Sequence, residues 1–129
     1  MTGLALLVAV ALAGGVGAAA RLVVDGVARS LIPVRWPVGT AIINVAGSLL
    51  LGVVTGLALS GAVDAEWRAV LGTGLLGGFT TFSTASVDAA RMLLAGRWAA
   101  GLGYGLGMWA AALAAAVVGL ALTGALAPM

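Results

Sequence analysis

The chain has 129 residues, of which 63% are hydrophobic and 8% are charged, and its mean hydropathy is +1.22. A soluble domain of this size cannot bury so much apolar surface, because its surface-to-volume ratio is too high. The absence of cysteine and histidine excludes disulfides, thiolate and imidazole metal sites, and the usual general base. The six basic residues are scattered and form no patch for nucleic acid. We therefore predict a one-domain integral membrane protein, residues 1–129, that is not an enzyme.

Four apolar runs are long enough to span a bilayer, at roughly residues 4–24, 36–59, 67–95 and 98–126. Pro37 suits the first turn of the second helix. The first run resembles the apolar part of a signal peptide, but no basic residue precedes it, so we expect it to be retained as a membrane helix. The predicted fold class is all-α, with four transmembrane helices and both termini on one side.

The third run is interrupted near its middle by residues 72–86, which carry no charge but are dense in glycine and hydroxyl groups. Glycine weakens a helix, and threonine and serine side chains compete for its backbone hydrogen bonds. Irregular backbone at membrane depth is tolerated only where it is buried in protein or lines a cavity. A broken membrane helix exposes carbonyls and amides that suit ions. The sequence therefore predicts a break around Gly77 to Thr81, with an ion site at residues 77–80.

Small and polar residues recur every fourth position on two other helices, from Thr40 to Ser60 on the second and from Gly103 to Thr123 on the fourth. This spacing lets helix backbones approach closely in lipid. Packing alone explains the series on the fourth helix. Asn44, in the second series, is costly in hydrocarbon without a partner, which indicates a functional role.

The acidic residues all lie near predicted helix ends, where solvated charge is expected; they are Asp25, Asp64, Glu66 and Asp88. None lies deep in a membrane segment, which argues against proton-coupled transport. The alternative class is a small four-helix multidrug or cation exporter of similar length. Such an exporter needs a titratable carboxylate in its first helix, and none occurs between Thr2 and Arg21.

Two phenylalanines, Phe79 and Phe82, flank the threonine pair of the predicted break. The edge of a phenyl ring carries a positive partial charge that can face a small anion. Asparagine, serine and threonine can donate hydrogen bonds to the same anion. Such weak donors would favour a small, strongly hydrated anion that must also leave. Candidate pore hydroxyls are those of Ser83 and Thr84, although helical phase does not decide which of them faces an ion.

Three segments in order along the chain, Gly14–Arg21, Gly39–Ser48 and Gly77–Thr84, together resemble the Fluc (CrcB) fluoride channels. The resemblance covers almost the whole chain. It implies a passive, fluoride-selective channel in the cell membrane, here the inner membrane of a bacterium, that exports fluoride and lowers its toxicity. It also implies two subunits packed antiparallel with two pores, and a structural sodium ion at the dimer centre.

The resemblance also assigns residues. Backbone carbonyls of the helix break hold the sodium ion, which places them at Gly77 and Thr80. Phe82 matches the aromatic pore wall and Asn44 the pore-facing polar group of the second helix. Two further positions follow from the same match: Tyr104 as a pore-facing residue and Arg21 near a vestibule.

Three positions depart from the pattern of the family. Ala85 stands where a second phenylalanine is usual, and Met108 and Ala112 stand where the fourth helix tends to carry hydroxyls. These departures leave open whether two copies of this chain build two complete pores. A non-conducting partner subunit of a heterodimeric channel is therefore a further alternative.

The arginines are distributed unequally between the two sides of the predicted topology. The side that carries the links after the first and third helices holds Arg29, Arg35, Arg91 and Arg97, whereas the opposite side holds Arg68. Basic loops favour the cytoplasm, so both termini are predicted to face outward. A biased chain favours an antiparallel heterodimer with a related chain of opposite topology. A dual-topology homodimer is the alternative.

Overall fold

The structure, a computed structural model, describes residues 1–34 and 36–124, and within these ranges it is helical with no β-strand. Helices α1, α2 and α6 are long and apolar enough to cross a membrane. The prediction of an all-helical chain with apolar membrane-spanning segments is confirmed for these three. The elements in order are α1 (Gly3–Leu31), α2 (Val38–Leu59), α3 (Ala65–Arg68), a π-helix (Ala69–Leu76), α4 (Gly77–Phe79), α5 (Phe82–Leu94) and α6 (Trp98–Leu122).

Helix α1 continues well past the end predicted near residue 24. Asp25 suggests a polar boundary in the sequence, but its Oδ2 accepts from Arg29 Nη2 at 2.9 Å, one turn further along the same helix. The helix ends before Pro33, because a following proline disfavours helical backbone at Ile32. Its 29 residues span about 43 Å, which exceeds a hydrocarbon core of about 30 Å. The charged end of α1 therefore extends beyond the hydrocarbon.

The last helix ends at Leu122, and Gly124, with φ +74°, follows it in the left-handed conformation that often terminates helices. The predicted end near residue 126 lies outside the described residues. At the other end of the chain, the Thr2 hydroxyl caps α1 by accepting from the amide of Ala5 at 3.2 Å.

Residues 65–79 form one helical run of α3, the π-helix and α4, and α1 packs against the π-helix and α4. Glycines bring the two backbones together. A Cβ at Gly17 would collide with the carbonyl of Leu75, and a Cβ at Gly78 would collide with the carbonyl of Gly14. The close contact therefore requires glycine at Gly17 on one side and at Gly78 on the other.

Helices α2 and α6 form the most extensive helix pair of the described residues. A Cβ at Gly52 would collide with the carbonyl of Ala116, and a Cβ at Gly119 would collide with the carbonyl of Leu49. The two series of small residues thus meet in this crossing, as the four-residue spacing indicates. Most large apolar side chains point outward, as in a surface that faces lipid or another chain.

Candidate ion site

The regular helix of residues 65–79 stops at Phe79, and α5 begins at Phe82. Between them, Thr80 (φ −79°, ψ 158°) and Thr81 (φ −148°, ψ 110°) have extended backbone. The interruption is thus narrower than the predicted range from Gly77 to Thr81 and lies at its end. Gly78 stays helical because it packs directly on Gly14 of α1, so tertiary packing outweighs the low helix propensity of glycine.

Asn44 forms hydrogen bonds with both the amide and the carbonyl of Thr81 in the extended backbone. Its Nδ2 donates to the carbonyl of Thr81 at 2.9 Å, and the amide of Thr81 donates to its Oδ1 at 2.8 Å. The side-chain amide therefore replaces the partners that Thr81 lacks outside a helix, while Thr81 is only 6% exposed. This contact supplies the partner that an asparagine in hydrocarbon requires.

The hydroxyls after the interruption converge on Thr81, which caps α5. Thr81 Oγ1 accepts from the amide of Thr84 at 3.2 Å and donates to Thr84 Oγ1 at 3.0 Å. Ser83 Oγ lies 3.4 Å from the same oxygen. Ser83 and Thr84 are themselves exposed, so the first turn of α5 presents a small hydroxyl cluster.

The interruption also releases the backbone carbonyls of Gly77 and Thr80. In a continuous helix they would accept from the amides of Thr81 and Thr84, but those amides donate to Asn44 Oδ1 and Thr81 Oγ1. Gly77 is exposed. In the described part of the chain no three acidic side chains group as metal ligands, so a cation here would depend on backbone oxygens.

Asn44 and Phe82 line one open groove of about 360 Å³ between α2, α5 and α6. Its lining side chains fall into a polar and an apolar set. The polar set is Asn44, Ser48, Thr80 and Ser86, and the small or apolar positions include Ala85, Met108 and Ala112. Met108 Sδ lies 3.5 Å from Asn44 Nδ2 and is a weak acceptor for its second N–H. The groove thus joins two predicted pore residues with all three positions that depart from the family pattern.

Phe82 is 85% exposed and stands at this groove from the first turn of α5. The hydroxyls of Ser83 and Thr84 point elsewhere, since neither residue lines the groove. Ser86 does line it, and its hydroxyl donates to the carbonyl of Phe82 at 2.9 Å. The ring is therefore free of intrachain packing and available to an ion or to a second chain.

Two residues assigned by resemblance lie apart from the groove. Tyr104 is 4% exposed, and its ring meets the edge of Trp36 with centroids 5.9 Å apart. Its hydroxyl lies beside the Thr40 side chain but makes no well-formed hydrogen bond among residues 1–34 and 36–124. Arg21 is half-buried within α1 and does not line the groove. The structure thus groups Asn44 and Phe82 but neither Tyr104 nor Arg21 with them.

Sequence reasoning missed the roles of Thr81 and Ser48. Thr81 is both the backbone partner of Asn44 and the N-cap of α5. A threonine immediately before a helical run is a known N-cap signal and could have been used. Ser48 lines the groove one turn beyond Asn44, and its place in the four-residue series of α2 was the available signal.

Comparison with known proteins identifies the family of the chain. Residues 8–120 match the family described as CrcB-like protein, Camphor Resistance (CrcB). The chain is 57% identical over 116 residues to the fluoride-specific ion channel FluC 1 of Leifsonia xyli subsp. xyli, covering 90% of this chain and 85% of the relative. It is 47% identical over 114 residues to FluC 2 of Cutibacterium acnes, covering 88% and 93%. With a family match over most of its length and relatives of this identity, the chain belongs to the CrcB family and is a multi-pass membrane protein.

Proposed function

We propose that this chain is a subunit of a passive, fluoride-selective channel that lets fluoride leave the cytoplasm. The observation that carries the proposal is the groove in which Asn44 and Phe82 meet beside an interrupted helix. The relatives are named fluoride-specific ion channels, and the family covers residues 8–120.

The chemistry of the groove suits a small anion that must bind weakly. The ring edge of Phe82 and the second N–H of Asn44, whose acceptor within the chain is the weak Met108 Sδ, offer partial positive charge without a full cation. The first turn of α5 starts at the same point, and a helix N-terminus favours negative charge. Weak and distributed donors allow an ion to shed part of its hydration and still depart.

The sodium ion and the dimer belong to the same proposal. Residues 65–94 would form the fourth membrane crossing, interrupted at its middle. The released carbonyls of Gly77 and Thr80 suit a hard cation, because neither has a helical donor. Sodium would supply positive charge at this point, and an antiparallel partner would supply the remaining ligands.

One observation favours a second candidate, a subunit that completes its pore only with a different chain. Ala85, Met108 and Ala112 line the groove and offer no aromatic edge or hydroxyl at these three positions. A related chain that carries these groups would provide what this wall lacks. The unequal arginine distribution between the two sides favours the same arrangement.

Fluoride efflux from liposomes tests both candidates. Purified chain alone is reconstituted with fluoride inside, and efflux is followed with a fluoride electrode, with chloride efflux as the control. Fluoride release without chloride release is the expected result for a self-sufficient channel. If the chain alone releases no fluoride but the chain co-expressed with a relative does, the channel is a heterodimer. No fluoride release in either case contradicts the proposed function.

A further inference from the structure

A second cavity, of about 420 Å³, lies away from the groove, where α1 and α5 end and α2 begins. Charged side chains from several elements line it: Asp25, Arg29, Asp88, Arg91 and Arg97. It lies at the end of the molecule that carries most of the arginines, which the charge rule places on the cytoplasmic side. Nothing in the proposed channel chemistry uses these charges.

The lining charges divide into a paired and an unpaired set. Asp25 and Arg29 pair at 2.9 Å, so their charges offset each other. Asp88, Arg91 and Arg97 form no salt bridge with any residue that the structure describes. The cavity therefore presents two guanidinium groups and one carboxylate whose charges are not neutralised within the described chain.

Apolar surface continues directly from this charged cavity. Its walls include Ile32, Val34 and Met92. The neighbours of lining residues along the chain, Leu31 and Leu94, are 73% and 88% exposed at the ends of α1 and α5. A ligand that fits both features has a charged head and long apolar tails.

The N-terminus of α2 adds hydrogen-bond donors to the same wall. Pro37, Val38 and Gly39 line the cavity, and no side chain caps this helix. The Val38 amide donates to the carbonyl of Trp36 at 2.8 Å, so the amides without an intrahelical acceptor are those of Gly39 and Thr40. The carboxylate of Asp25 lies beside Gly39 and supplies part of the negative charge that a helix N-terminus favours. The C-terminal ends of α1 and α5 lie here too, and Arg29 and Arg91 offset their negative dipole ends.

We propose that this cavity binds the headgroup of a phospholipid that carries a phosphate next to a primary ammonium, as in phosphatidylethanolamine. The phosphate would lie between Arg91 and Arg97, since guanidinium groups bind phosphate oxygens through paired hydrogen bonds. The ammonium would donate to Asp88. Basic pockets between membrane helices on the cytoplasmic side are known to bind lipid headgroups, and the volume fits such a group. The inference does not depend on the proposed channel function.

Lipid retention measured by native mass spectrometry tests the site directly. The full-length protein, in whatever oligomer it forms, is released from nanodiscs that contain equal parts of phosphatidylethanolamine, phosphatidylglycerol and phosphatidylcholine. Preferential retention of phosphatidylethanolamine is expected. Equal retention of all three overturns the proposal, because arginines that only offset helix ends would show no headgroup preference.

Two variants and two controls locate the effect. The double substitution Arg91→Gln/Arg97→Gln should lower phosphatidylethanolamine retention about tenfold, the value of one charge-assisted hydrogen bond. Asp88→Asn should remove the preference over phosphatidylglycerol while leaving phosphate binding intact. Arg68→Gln and Asp64→Asn, on the opposite side, should retain lipid as the wild type does, and asparagine preserves the N-cap of α3 at residue 64.

A melting-temperature control and a competition experiment complete the test. All variants should keep the wild-type melting temperature in detergent without phospholipid, so that a loss of retention reports binding rather than folding. Soluble phosphoethanolamine is added as a competitor at millimolar concentration. Weak or absent competition supports a lipid held also by its tails, whereas complete competition identifies a soluble phosphate ligand and overturns the lipid assignment. Identical retention in the double variant and in Arg68→Gln also overturns it.

Discussion

Backbone polar groups are satisfied in opposite ways in two regions of this apolar chain, the crossing of α2 with α6 and the interruption at residues 80–81. At the crossing every backbone group stays inside its helix, and several glycines share the task of bringing the helices together. At the interruption the backbone leaves its helix, and one side chain, Asn44, supplies the missing partners. The first arrangement distributes the energy over many positions, whereas the second concentrates it on one residue.

The largest effect on stability is therefore expected for Asn44→Leu. The substitution keeps the volume but leaves the buried amide and carbonyl of Thr81 without partners, which costs about 2 kcal/mol or more. Asn44→Asp retains the acceptor and loses the donor, so an intermediate loss is expected. The measurement is the temperature at which half of the protein leaves the monodisperse peak in size-exclusion chromatography. A wild-type midpoint for Asn44→Leu would show that the interruption does not depend on Asn44.

A smaller loss is expected for Gly17→Ala at the crossing of α1 with residues 65–79. The added methyl would collide with the carbonyl of Leu75, and overpacking of this kind costs about 1–3 kcal/mol. Gly15→Ala is the matched control on the same helix, because a Cβ there meets nothing within 4 Å. Equal midpoints for the two variants would contradict the close contact.

The sequence was sufficient for features that depend on composition and spacing, and insufficient for those that depend on tertiary contact. Apolar length identified α1, α2 and α6 as membrane helices. The glycines of residues 77–78 predicted a break that packing on α1 moves to Thr80 and Thr81. Asn44 was identified from the cost of a lone amide in hydrocarbon, but its partner 37 residues away could not be read from a local pattern.

Tyr104→Phe tests whether the buried hydroxyl of Tyr104 contributes to the stability of the protein. The hydroxyl is buried and makes no well-formed hydrogen bond among the described residues, so its removal should raise stability by about 1 kcal/mol. The same melting assay measures the change, and fluoride efflux is recorded alongside. A loss of stability would mean that this hydroxyl bonds the neighbouring Thr40 side chain or a second chain in the assembled protein, and Thr40→Val tells the two apart.

Phe82→Ile should have the smallest effect on stability, because the ring is 85% exposed in the chain. Fluoride efflux should nevertheless be abolished, since isoleucine keeps the bulk but lacks the positive ring edge. Leu94→Ile, at another exposed position near the end of α5, is the control for a change of exposed apolar shape. Full fluoride efflux in Phe82→Ile would show that the Phe82 ring has no role in permeation.

The number of residues in the π-helix, Ala69–Leu76, sets the direction in which the residues of the interruption face. A π-turn contains more residues than the 3.6 of an α-turn, so each added residue rotates everything that follows by about 100°. The carbonyls of Gly77 and Thr80 therefore point where they do because of how many residues precede them. Insertions or deletions in this segment are consequently less tolerable than substitutions, even where the chain would remain helical and apolar.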